Sequence, residues 1–184
     1  MDGVIRTRVG YTGGDKKNPT YYNLGDHSEA LQIDYNPTKI SYERLLTIFW
    51  KTHDPGIRPM SRQYWPAIFY HNEEQERLAF KAKKFEEIKA KGEIYTKIFP
   101  LTRFYLAENY HQKYMVRHHT EIIEQLEAIY PSAEEFINST LVARINAYLG
   151  GFMAHEELQS QVRIYGLSKQ RTENLLRAIS KAKK

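Results

Sequence analysis

The chain has 184 residues, 41% hydrophobic and 13% aromatic, enough to enclose one core with an extension, and it contains no cysteine. Composition alone therefore excludes disulfides, thiolate metal sites and thiol nucleophiles. Of 27 Lys/Arg and 22 Asp/Glu, seven basic residues and one acidic residue lie in 161–184, so the net charge of +5 belongs to the tail.

In chain order, Ile5, Thr7, Val9 and Tyr11 alternate with Arg6, Arg8 and Gly10, a period of two that predicts a strand ending at Gly13-Gly14-Asp15. A polar loop holding Asn18-Pro19-Thr20-Tyr21 follows. Residues 29–35 read as a second strand with Leu31, Ile33 and Tyr35 on one face, broken by Asn36-Pro37. Ser41 is a helix N-cap, after which Leu45, Leu46, Phe49 and Trp50 recur at helical spacing until His53-Asp54-Pro55. Residues 67–71 predict a strand. Asn72 with Gln75 caps a helix carrying Leu78, Ala82, Phe85 and Ile88 on one face and ending at Gly92. Ile94, Thr96 and Ile98 make a fourth strand closed by Pro100, and residues 107–114 a short helix.

From Arg117 onward the pattern is helical only. Ser132 with Glu135 forms a capping box, Gly150-Gly151 ends one helix, and Gly166 and Ser168 separate two more. The order of elements predicts an α+β fold. The basic tail (Arg163, Lys169, Arg171, Arg177, Lys181, Lys183, Lys184) reads as a solvated helical face in preference to a nucleic-acid arm, because no binding motif accompanies it. No stretch reaches the ~18 apolar residues of a membrane span, and the first residues lack the pattern of a secretory signal, so a cytoplasmic protein is the default expectation. His27 and His53 read as local hydrogen-bonding residues. His111, His118 and His119 lack the spacing of a zinc site, and no metal or other bound cofactor is assigned.

Several segments resemble the methionine sulfoxide reductase A family. They are Val9-Gly10-Tyr11-Thr12-Gly13-Gly14 with Asn18-Pro19-Thr20-Tyr21, His27-Ser28-Glu29, Ile40-Ser41-Tyr42 with Leu45-Leu46 and Phe49-Trp50, and His53-Asp54-Pro55. Arg62-Gln63-Tyr64 and the run Phe104-Tyr105-Leu106-Ala107-Glu108-Asn109-Tyr110-His111-Gln112 complete the set. The resemblance covers about residues 3–114 and implies reduction of methionine S-sulfoxide, free or in peptides, to methionine, with thioredoxin as reductant.

It also implies a ferredoxin-like two-layer sandwich lacking its first strand and helix, with residues 1–116 as the α+β domain and 117–184 as a helical extension. Two unpaired sheet edges would follow. By resemblance Glu29 is a buried, protonated acid donating to the sulfoxide oxygen, and Tyr21 and Tyr64 are hydroxyl donors to the same oxygen. The family's nucleophile lies in a Gly-Cys-Phe-Trp-Gly segment, and the chain is expected to begin after it. A thiolate must attack the sulfoxide sulfur, and no other side chain replaces it, so catalysis is not expected. A non-catalytic module that binds methionine sulfoxide or a protein is the alternative.

Overall fold

The structure is a computed structural model that describes residues 1–182, so Lys183 and Lys184 of the basic run lie outside the described residues. It is a mixed α/β chain. Its strands are β1 (Val4–Thr12), β2 (Ser28–Tyr35), β3 (Ala67–Tyr70), β4 (Lys97–Pro100) and β5 (Phe104–Leu106). The helices are α1 (Tyr42–Lys51), α2 (Glu73–Ala90), α3 (Tyr114–Arg117), α4 (Thr120–Glu127), α5 (Ala133–Asn138), α6 (Thr140–Leu149), α7 (His155–Ile164) and α8 (Lys169–Lys181). None of the described helices is long and apolar enough to cross a membrane.

The chain divides into two compact units, Met1–Gly3 with Val9–Ala107, and Val4–Arg8 with Glu108–Lys184. The boundary expected near residue 116 falls inside α3, which groups with the second unit. The strands form one sheet in the order β2-β1-β5 and a separate pair β3-β4, so β2, β5, β3 and β4 each keep an edge with no strand partner among the described residues, four where two were expected.

In the first unit, β1 meets β5 antiparallel with Gly10 opposite Leu106 and Thr12 opposite Phe104. The pairing needs glycine at position 10, where a Cβ would run into the Tyr105 carbonyl oxygen and the Phe104 ring. β3 and β4 are parallel, Ala67 opposite Lys97, and α2 supplies the crossover such a pair requires. α1 begins where Ser41 Oγ accepts the Arg44 N–H at 3.2 Å, and buries Leu46 and Trp50 against Ile68, Leu78, Ala79 and Ile94.

Asn72 Oδ1 caps α2 by accepting the Gln75 N–H at 2.9 Å, while Gln75 Oε1 accepts the His71 N–H at 2.9 Å. Glu73, Glu74 and Glu76 add favourable charge to the first turn. Replacing Asn72 with alanine should cost about 1 kcal/mol, read as a lower urea midpoint of the first unit; an unchanged midpoint would remove the cap from this account.

Three expected elements differ. The face of α2 is narrower than Leu78, Ala82, Phe85 and Ile88: Leu78 and Ala79 are buried, whereas Phe85 and Ile88 are exposed, because only the first turns of α2 lie over the core. The fourth strand starts at Lys97 and not at Ile94, since Tyr95 N–H bonds outward to Pro55 O at 2.9 Å. Residues 107–114 are not a helix. Leu106 ends β5, a turn follows, and the left-handed Lys113 (φ 54°) precedes α3.

The second unit is a helical bundle. α6 buries Leu141, Val142, Ile145 and Tyr148 at spacings of one, three and four, one stripe of a 3.6-residue period. Leu158 and Val162 of α7 and Leu175 and Ile179 of α8 join them in one cluster. Three of its helices open on a side-chain cap. The Ser132–Glu135 capping box opens α5, Ser139 Oγ accepts the Val142 N–H to open α6, and Ser168 Oγ accepts the Arg171 N–H to open α8. In the same unit Arg8 Nη1 donates to Asn138 Oδ1 at 3.1 Å and Arg144 Nη2 to Val4 O at 3.2 Å, which ties the extended segment to the helices.

Candidate functional site

The three sequence-predicted site residues come from three segments of the first unit: Tyr21 from the β1–β2 loop, Glu29 from the start of β2, and Tyr64 from a single 3-10 turn, Arg62–Tyr64. The loop is stiffened from inside. The Asp26 carboxylate accepts the N–H groups of Asp15 at 2.9 Å and Lys16 at 3.2 Å, and these bonds hold its pKa below the ordinary value. Buried His27 accepts the Gly14 N–H at Nδ1 (3.2 Å) and its Nε2 lies 2.8 Å from Lys16 O. With Nδ1 accepting, Nε2 is the donor to Lys16 O. His53 is also used locally, its ring nitrogens 3.0 Å from Phe49 O and from Thr96 Oγ1.

The hydroxyls of Tyr21 and Tyr64 are hydrogen-bonded to one another. That bond, followed by the charge of Tyr21, slight burial and the negative charge of Glu29, raises the Tyr64 pKa above its ordinary value. Both causes that involve Tyr21 and the one from Glu29 oppose loss of the Tyr64 proton, so the phenol remains a donor at neutral pH. Tyr64 is 60% exposed.

Glu29 is exposed, not buried as the resemblance implied. The reason lies in β2: Glu29 shares a face with Leu31, Ile33 and Tyr35, and that face lines an open cleft of about 540 Å³. Gln63 Nε2 donates to Glu29 Oε1 at 2.6 Å, a bond between the 3-10 turn and β2. Gln63 belongs to the motif that carries the resemblance, but sequence reasoning gave it no role, because a cross-segment amide–carboxylate bond leaves no trace in periodicity.

The cleft is mainly apolar. Leu45, Ile48 and Phe49 of α1 and Trp65, Phe69 and Phe104 line it, with Glu29, Gln63 and Tyr64 among its polar members. The Tyr42 hydroxyl also borders it, buried without a hydrogen-bond partner, and burial raises its pKa to about 12. Chemically, the arrangement offers the Tyr64 phenol, bonded to that of Tyr21, and a carboxyl beside an apolar surface, a combination suited to a small dipolar oxygen carried on an apolar group.

Comparison with known proteins agrees with this chemistry. The family described as "Peptide methionine sulfoxide reductase" matches residues 1–143. The chain belongs to that family. It is 40% identical over 168 residues to the peptide methionine sulfoxide reductase of Drosophila melanogaster, covering 90% of this chain and 67% of the relative. It is 42% identical over 154 residues to peptide methionine sulfoxide reductase A5 of Oryza sativa subsp. japonica, covering 80% of this chain and 60% of the relative. The chain thus spans about 60–67% of the length of these curated relatives.

Among solved structures, it is similar to reduced Mxr1 from Saccharomyces cerevisiae, with a TM-score of 0.58 and 29% identity over 62% of this chain and 71% of that one. It is also similar to methionine sulfoxide reductase A of Corynebacterium diphtheriae, with a TM-score of 0.54 and 31% identity over 61% of this chain and 63% of that one.

Proposed function

We propose that the first unit recognises methionine S-sulfoxide, free or in peptides, through Tyr21, Glu29 and Tyr64, as the oxygen-binding part of a peptide-methionine (S)-S-oxide reductase. The observation that carries this reading is that Tyr64 and Glu29 line one apolar cleft, with Tyr21 hydrogen-bonded to Tyr64. The sulfoxide oxygen is a strong acceptor, and the phenol hydroxyls donate to it. In the family reaction Glu29 would donate when protonated; the Gln63 amide steadies its carboxyl group. The apolar wall takes the S-methyl group and side-chain methylenes.

Reduction also needs a thiolate to attack sulfur and a reductant to recycle it, which for the family is thioredoxin. These 184 residues contain no cysteine, so they bind and polarise the substrate without supplying that step. The ferredoxin-like sandwich is the finer reading of the fold, supported by the β3-α2-β4 crossover and the likeness to Mxr1. No observation favours the basic tail as a nucleic-acid site over a solvated face.

Two measurements test the proposal. Calorimetric titration with a methionine-S-sulfoxide peptide should show saturable binding, weakened at least tenfold when Tyr21 and Tyr64 are both replaced by phenylalanine. No heat up to millimolar peptide, or equal binding by the double variant, would overturn it. Incubated with the same peptide and dithiothreitol, the chain should leave the sulfoxide unreduced; measurable conversion to the methionine-containing peptide would contradict the composition argument.

A further inference from the structure

We propose that Arg62 is a positioning residue: its guanidinium fastens the loop bearing Tyr21 to the turn bearing Tyr64, and so sets how the two hydroxyls meet. Its meaning for function rests on the oxygen-binding role proposed for those phenols. Arg62 Nη2 donates to Gly13 O at 2.9 Å and Nε to Asp26 O at 3.1 Å, so one side chain grips both ends of the β1–β2 loop. Its own carbonyl accepts Ser28 Oγ–H at 2.7 Å, which adds the start of β2, next to Glu29.

The guanidinium is itself held. It lies 5.0 Å from the Trp65 ring centroid and 5.5 Å from that of Phe99, and such contacts suit the delocalised face of arginine more than lysine. Two features transmit the grip to the site. The loop is cross-braced by Asp26 and His27, which tie its two ends together at Asp15 and Lys16. Arg62 and Tyr64 share one 3-10 turn, closed by Trp65 N–H to Arg62 O at 3.2 Å, so the anchor and the second phenol are rigidly linked. Gly13 permits the approach, since its φ of +82° is a left-handed conformation that other residues rarely adopt.

The test follows the titration of Tyr64, which reports its bond to Tyr21 and which a general loss of stability does not move while the protein is folded. Tyrosine ring-carbon NMR, with Tyr64 assigned from Y64F, gives its midpoint in the wild type, Y21F, R62M and R62K. Y21F should lower the midpoint, and R62M should reproduce at least half of that fall; R62K, which keeps the charge but cannot span both carbonyls, should not restore the wild-type value. A wild-type Tyr64 titration in folded R62M, alongside a shifted one in Y21F, would overturn the proposal.

If neither Arg62 variant folds, the wild type decides. Slowly exchanging, separately resolved Nη protons on Arg62 are expected, and fast averaged signals would refute the grip. No sulfoxide is used in these experiments, so failure to bind the peptide would overturn the proposed function and leave the Arg62 assignment standing.

Discussion

Replacing Ile145 with alanine should destabilise the helical unit by about 2–5 kcal/mol, the range for deleting a large aliphatic side chain that cannot be reached by water. Ile145 has no exposed surface, and its stripe on α6 lies in the one cluster that joins residues of α4, α6, α7 and α8. The cost has two parts, the lost transfer energy of the deleted carbons and the cavity left among neighbours held in packed helices. A domain has only ~5–15 kcal/mol of net stability, so the loss should be visible as a large fall in the urea midpoint of the helical circular dichroism signal. A change below about 1 kcal/mol would mean that the cluster is not close-packed around α6.

The second large effect is on alkaline stability, through Lys113. This residue is only 5% exposed, and its ammonium donates to the carbonyl oxygen of Thr7 and, at 3.2 Å, to the Thr7 hydroxyl. Burial, and then the positive charge of Arg8, lowers its pKa from the usual 10.5 to about 8. Between those two values the unfolded chain binds the proton and the native unit does not, so native stability rises with pH across that window. A shift of this size corresponds to about 3 kcal/mol.

The rise has an upper limit. Tyr148 and Tyr165 of the same unit have pKa values raised by burial, and above the ordinary tyrosine range the native state retains protons the unfolded chain has lost, so stability turns down. Urea midpoints of the helical signal should therefore increase from pH 7.5 to about 9.5, and the increase should vanish in K113M. A flat profile in the wild type, or an identical rise in the variant, would show that the buried ammonium does not govern this window.

Local signals were read correctly from sequence where the physics is local. Ser41, Asn72 and Ser132 cap the helices they were expected to cap, because a capping side chain bonds a backbone N–H only three residues away. The alternation of β2 likewise placed Leu31, Ile33 and Tyr35 on one face, but whether that face met a core or a cleft depended on what packs opposite it. β5 escaped notice because three residues carry no measurable period, and its existence follows from pairing with Gly10–Thr12, more than ninety residues earlier.

By itself, then, the sequence determined the helix starts at Ser41, Asn72 and Ser132, the absence of any thiol and the family resemblance that singled out Tyr21, Glu29 and Tyr64. Only the tertiary structure decided that Glu29 is exposed and paired with Gln63, that Tyr21 and Tyr64 share a hydrogen bond, and that Lys113 is buried. Caps, periods and composition are properties of neighbours in the chain. Burial, electrostatics and the meeting of side chains from a loop, a strand and a turn depend on long-range contacts such as those of Arg62, which no local pattern encodes.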